Sequence, residues 1–136
     1  MSRKLFVNLP VRDLEASKAF FGALGFAFNP QFTDENAACM IVSEHNYVML
    51  LTEKFFATFT GKPVADARAT TEVLVAFDCA GKAAVDDLAR RALAAGGREP
   101  RAAQDHGFMY QRTIEDLDGH LWEPFWMDPA FVQPQG

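Results

Sequence analysis

The sequence is short of cysteine, short of positive charge and without a long apolar run, and each shortage removes a class of protein. Only Cys39 and Cys79 occur in 136 residues. They stand far apart in apolar, strand-like runs with no CxxC spacing, which reads as two buried free thiols rather than a disulfide framework or a metal knuckle. Thirteen Lys and Arg stand against eighteen Asp and Glu, a formal charge of −5. The chain therefore lacks the basic footprint that neutralises phosphates, and nucleic acid is not expected as a partner. No apolar stretch approaches the roughly 18 residues of a membrane span. Met1-Ser2-Arg3-Lys4 passes directly into the alternating Leu5 to Val11 rather than into a signal peptide. A cytoplasmic protein with no membrane contact is the expectation. There is also no Ser-His-Asp order, phosphate loop or nucleotide fingerprint, and Asp118-Gly119 lacks the ligand series of a calcium loop.

What is present is hydrocarbon: hydrophobic residues make up 49% of the chain and Phe alone contributes 13. That is ample for one core, in a single domain or in two half-sized modules sharing it. Lys4 to Val11 alternates as a half-buried strand, Val7, Leu9 and Val11 on one face, Phe6, Asn8 and Pro10 on the other. Asp13 then offers an N-cap, and Leu14, Ser17, Phe20, Phe21 and Leu24 recur at helical spacing until Gly25. Three strand-like runs follow, Phe26 to Phe32, Ala37 to Ser43 and Tyr47 to Thr52, separated by turn-forming Asp34-Glu35-Asn36 and Glu44-His45-Asn46. The order is βαβββ.

The same order then starts again. Glu72 to Asp78 reads as a strand and Lys82 to Ala95 as a helix with Val85, Leu88, Ala92 and Ala95 on one face, ended by Gly96-Gly97. Strands are predicted around Arg98 to Arg101, Phe108 to Glu115 and His120 to Trp126, the last two joined by the turn Asp116-Leu117-Asp118-Gly119. The chain thus reads as an internal duplication of α+β class: a first module at 1–53, a connecting segment at 54–70, a second module at 71–127 and a peripheral tail at 128–136. Phe55, Phe56 and Phe59 in the connection have no clean period, so a short packed helix and a lid both remain open.

Two stretches carry a family resemblance. Val7 to Phe26, VNLPVRDLEASKAFFGALGF, resembles the opening strand and helix of the vicinal-oxygen-chelate superfamily, which joins glyoxalases, bleomycin-resistance proteins and extradiol dioxygenases. Ile114 to Glu123, IEDLDGHLWE, resembles its closing hairpin, with Leu117 where Pro is usual. The resemblance implies two βαβββ modules forming a curved mixed sheet around a cavity. In many members that cavity holds a divalent metal, bound by side chains of the first and fourth strands of each module. Such a metal polarises a carbonyl, stabilises an enolate or activates oxygen.

Carried over position by position, the resemblance leaves this metal site incomplete. Phe6 takes the place of the first histidine ligand, with Asn8 beside it on the same face, and Leu50 falls near the position of the first acid. In the second module Glu72 matches the histidine position and Glu123 the closing glutamate. Parity agrees, because Val73, Val75 and Phe77 form one apolar face and leave Glu72 on the other, while Glu123 shares a face with Leu121 and Phe125. Two carboxylates could bind Mg²⁺ or Mn²⁺, or could share a proton or hydrogen-bond to Asn8, Tyr110 or the backbone without any metal.

Other residues are weighed in the same way. His106, in a loop before a strand, suits a general acid or base, or a turn histidine. Tyr110 and Arg112 share a face and would attract an anionic substrate if that face is the cavity. His120 suits a turn role and His45 an exposed hairpin. Two functions stay open, the first leading and the second its alternative. One is a glyoxalase-like lyase or isomerase acting on a small carbonyl or vicinally oxygenated substrate, with Glu72 or Glu123 as base. The other is a binding protein of the bleomycin-resistance kind that sequesters a flat small molecule in an apolar hollow. Extradiol chemistry ranks third, since it needs two His and a carboxylate on iron. A homodimer is expected by analogy with the family.

Overall fold

The computed structural model describes residues 3–131. Among these, nine strands and three α-helices make an α+β fold with two mixed sheets. They divide into two compact units, Met1–Asp66 and Ala67–Gly136. No helix among the described residues is long and apolar enough to cross a membrane.

The first unit runs β1 (Leu5–Val11), α1 (Leu14–Ala23), β2 (Ala27–Asn29), a 3-10 turn (Pro30–Phe32), β3 (Ala37–Ile41), β4 (Asn46–Thr52) and α2 (Glu53–Ala57). Its sheet has the order β1-β4-β3-β2, with β1 and β4 parallel and the other pairs antiparallel. Asp13 caps α1 by accepting a hydrogen bond from the Ala16 N–H at 3.1 Å, which satisfies one of the donors a helix start leaves open. Leu14, Ser17, Phe20 and Phe21 form the buried stripe of α1 over Leu9, Val11, Ala38, Met40 and Leu50 of the sheet. Phe20 and Phe21 meet edge to face at 5.0 Å, and burying each ring contributes about 2–3 kcal/mol. The strand expected from Phe26 to Phe32 stops at Asn29, where Pro30 removes an N–H and begins the 3-10 turn. The connecting segment begins as a short helix, α2, capped by the Thr52 hydroxyl.

The second unit repeats the plan with β5 (Leu74–Asp78), α3 (Lys82–Ala94), β6 (Gln104–Asp105), β7 (Met109–Gln111), β8 (Ile114–Glu115) and β9 (Leu121–Met127). The order β5-β9-β7-β6 has the same parallel first-to-last pairing, and β8 also pairs with β9. Two expectations change here. The run from Phe108 to Glu115 is cut into β7 and β8, because Arg112 lies opposite Pro124, which has no N–H to give the ladder. The strand expected at Arg98 to Arg101 reduces to one bridge between Arg98 and Glu115, since Pro100 follows at once, and β6 at Gln104–Asp105 takes the second-strand place. Of the tail expected at 128–136, the part beyond Phe131 lies outside the described residues.

The turn before β9 is built around Asp116. Its carboxylate accepts from the N–H groups of Asp118 and His120 at 2.9 and 3.0 Å and from the Trp122 indole at 2.9 Å. Gly119 in that turn has φ +94, and a Cβ there would lie 2.7 Å from the Arg68 nitrogen. The segment at Ala67 and Arg68 crosses the turn too closely for any side chain.

Candidate functional site

Each sheet has one face under its helix and one open face, and the registers say which side chains lie on which. In the first unit Phe6 pairs with Tyr47, Asn8 with Met49 and Pro10 with Leu51 across the parallel ladder. These side chains share the open face, opposite Leu9, Val11 and Leu50. Phe6 stacks on Tyr47 with centroids 4.8 Å apart, and the Lys4 ammonium lies 5.9 Å from the Tyr47 ring centre. At the other end α2 and the turn after it overhang the sheet. Asn8, Leu51, Phe56, Phe59 and Thr60 enclose a cleft of about 390 Å³, and Phe59 meets Phe55 edge to face at 5.1 Å. Leu50, expected on the cavity side, is instead fully buried under the helix. The run Val48-Met49-Leu50-Leu51 is apolar at both parities, so the sequence pattern cannot tell its faces apart; the register assigns Met49 and Leu51 to the open one.

In the second unit Leu74 pairs with Leu121, Ala76 with Glu123 and Asp78 with Phe125. These form the open face, joined by Gln111 opposite Phe125 and Met109 opposite Met127. Glu123 is half-buried, and its Oε2 accepts a hydrogen bond from Gln111 Nε2 at 2.8 Å. Glu72 is exposed and precedes the ladder, which begins at Leu74. Leu74 lies as far upstream of α3 as Phe6 lies of α1. The repeat therefore equates Leu74 with Phe6 and Glu123 with Met49, and Glu72 has no counterpart on the sheet.

Tyr110 and Arg112 are together, as their spacing predicts, but on the helix side rather than the open face. The Tyr110 hydroxyl donates to Asp86 of α3 at 2.6 Å. Arg112 donates to Asp86 at 2.9 Å and makes a two-pronged contact with Glu99 at 2.7 Å for both bonds. The hydrogen bond from Tyr110, reinforced by Arg112, holds Asp86 below the usual carboxylate range and pushes the Tyr110 phenol up. Glu99 in turn raises the already high guanidinium pKa of Arg112. The physical reason for the misplacement is that both polar residues find acids beside them, Asp86 on the exposed flank of α3 and Glu99 after it, and these pairings offset their desolvation. His106 occupies the exposed turn between β6 and β7, where its N–H donates to the Met109 carbonyl at 2.8 Å and its ring lies 6.3 Å from Phe108. His120 is buried in the Asp116 turn, and burial raises the Asp116 carboxyl despite the neighbouring His120 and its three donors.

Carried by register, the positions that the resemblance marks for metal ligands are Phe6 and Met49 in the first unit and Leu74 and Glu123 in the second, and of these only Glu123 offers a hard donor. Among the described residues no group of three or more His, Cys, Asp or Glu is disposed to hold a metal ion. The residues missed from sequence are Gln111 and Met49. Gln111 had a signal available, since the residue between Tyr110 and Arg112 must face away from both; Phe56 and Phe59 belong to the connecting segment, for which a lid was one of the two readings.

An open sheet face in each unit, on a duplicated βαβββ order, defines a fold rather than one reaction. A family model described as bleomycin resistance protein-like N-terminal matches residues 3–43. The chain is similar to a glyoxalase-related enzyme of Fulvimarina pelagi, with 25% identity and TM-score 0.79 over 100% of this chain and 94% of that one. A hypothetical protein of S. aureus shows 27% identity and TM-score 0.78, over 93% and 95% of the two chains. The bleomycin resistance determinant encoded on transposon Tn5 shares the fold at 17% identity and TM-score 0.65, over 93% and 99%. No curated protein matches. The fold is that of the glyoxalase/bleomycin-resistance/dioxygenase structures, and the family match lies in residues 3–43.

Proposed function

We propose that this chain binds a small, flat, mostly apolar molecule and holds it without transforming it. The observation that carries the reading is the cleft of about 390 Å³ in the first unit, with Leu51, Phe56 and Phe59 as its apolar walls and Asn8 and Thr60 as its polar groups. Apolar walls with a few placed polar groups are the usual make-up of a small-molecule pocket. The similarity to a bleomycin resistance determinant is consistent with sequestration. Phe6 and Met49, at ligand positions, add hydrocarbon to the same face.

The second reading is a glyoxalase-like lyase or isomerase, and one observation favours it. Glu123 is a half-buried carboxylate on an open face, oriented by Gln111, as a base for a proton next to a carbonyl would be.

A planar neutral probe, 2-naphthylmethanol, titrated into the full chain and followed by two-dimensional NMR tests the binding reading. The expected result is saturable shifts at Asn8, Leu51, Phe56, Phe59 and Thr60, and about a tenfold loss of affinity in Phe56→Ala. No shifts at these residues up to millimolar probe would refute it.

A further inference from the structure

We propose that the open face of the second unit takes an organic cation, a protonated amine on a flat apolar body, with Glu123 as its counter-ion and Gln111 as a second acceptor. The inference rests on residues of the second unit, none of which lines the cleft of the first, so the two readings are tested by different residues.

Glu123 is half-buried between Leu121 and Phe125 on its own face, with Ala76 beside it in the ladder. A carboxylate removed from water in hydrocarbon surroundings is costly unless it is neutralised or well hydrogen-bonded. Among the described residues its one hydrogen bond is a neutral one, from the Gln111 amide to Oε2. Among the described residues no Lys, Arg or His lies within ion-pair distance of it.

The rest of the face is equally short of positive charge. From β5, β7 and β9 it receives Leu74, Ala76, Asp78, Met109, Gln111, Leu121, Glu123, Phe125 and Met127, with no basic residue among them. The cations next to α3 have acids of their own: Lys82 has Asp105, Arg90 and Arg91 have Asp87, and Arg112 has Asp86 and Glu99. The sheet is therefore electrically sided, acidic on the open face and compensated beside the helix.

The chemistry of the two central groups selects the ligand. Once the Gln111 amide nitrogen donates to Glu123, what the pair has left to offer is acceptors: carboxylate oxygen and the Gln111 carbonyl. An anion is repelled, a neutral hydroxyl makes one ordinary bond, and an ammonium group supplies up to three donors in charge-assisted bonds about twice as strong. Phe125, opposite Gln111 in the ladder, provides a ring that also favours a cation. A lone carboxylate is too poor a donor set for a metal ion, whereas an ammonium ion needs no fixed coordination number.

The test compares two probes of one shape on the full chain, 2-naphthylmethylamine, protonated at neutral pH, and 2-naphthylmethanol. The amine should bind about tenfold tighter, shifting the Gln111 side-chain amide and the backbone signals of Glu123 and Phe125. Glu123→Gln should abolish that preference, bringing the amine's affinity down to about that of the alcohol. Equal affinity of the two probes for the unaltered chain would overturn the proposal. So would a preference that survives Glu123→Gln, or amine-induced shifts confined to the cleft of Asn8, Leu51, Phe56 and Phe59. The comparison on the unaltered chain decides the matter even if the variant does not fold.

Discussion

In the first unit the helix meets its sheet through Leu14, Phe20 and Phe21 over Leu9, Val11 and Leu50, a contact made of hydrocarbon. In the second, α3 buries the smaller Val85, Ala89 and Ala92 and adds polar ties from Asp86 to Tyr110 and Arg112, with Glu99 clasping the same Arg. The order of elements is the same in both. A βαβββ order thus specifies which face of the sheet is covered, but not the chemistry that covers it. Hydrocarbon contacts are insensitive to moderate pH and salt, whereas paired charges answer to both.

The largest effect expected is in the first unit. Phe20→Ala removes a ring that is 2% exposed and should cost about 3–5 kcal/mol, read as a shift in the urea midpoint of the transition that includes this unit. A cost under about 1 kcal/mol would break the comparison, because the contact would then not rest on that ring. The loss should be the same at pH 4 and pH 7.

A middle effect is expected in the second unit, with a pH dependence that the first lacks. Asp116→Asn turns one acceptor oxygen into an NH₂ group facing the donors around it and should cost about 1–3 kcal/mol. Burial raises the Asp116 carboxyl above its ordinary value of 3.8, so the folded chain holds this proton more tightly than the unfolded chain. The group's contribution is therefore complete below the ordinary carboxylate value and is lost as pH rises through the folded value. Asn does not titrate. The penalty of Asp116→Asn should accordingly be larger near pH 3 than near pH 6 in paired urea titrations, and the reverse order would discredit the burial account.

The smallest effect sharpens the assignment of the open face. Glu72 is exposed and outside the ladder, so Glu72→Gln should move stability by no more than about 0.5 kcal/mol. It should also leave probe binding unchanged by calorimetry, in contrast to Glu123→Gln. A loss of binding equal to that of Glu123→Gln would return Glu72 to the site.

The fold was legible because its signals are local and repeated. Asp13 as cap, Gly25 as stop, the stripe of Leu14, Ser17, Phe20 and Phe21, and the turn at Asp116 to Gly119 all stand where the spacing predicts. The site was less legible, for three physical reasons. Val48 to Leu51 is apolar at both parities, so Leu50 was put on the wrong face. The polar pair Tyr110 and Arg112 found acids beside them on and after α3, a contact that depends on where α3 lies over the sheet. Glu72 was aligned by position in a motif, whereas the ladder register begins at Leu74. Glu123 shares its face with Leu121 and Phe125, as its own charge at that parity predicts, and the register puts that face on the open side.

Gly25 and Gly119 both have positive φ, yet evolution is offered different alphabets at the two positions. At Gly25 nothing lies within 4 Å of where a Cβ would stand, so asparagine, which tolerates that conformation, is an available replacement. At Gly119 the backbone of Ala67 and Arg68 occupies the space at 2.7 to 2.9 Å, and asparagine is refused along with every other side chain. Drift through the usual glycine substitute is open at the first helix stop and closed at the last turn.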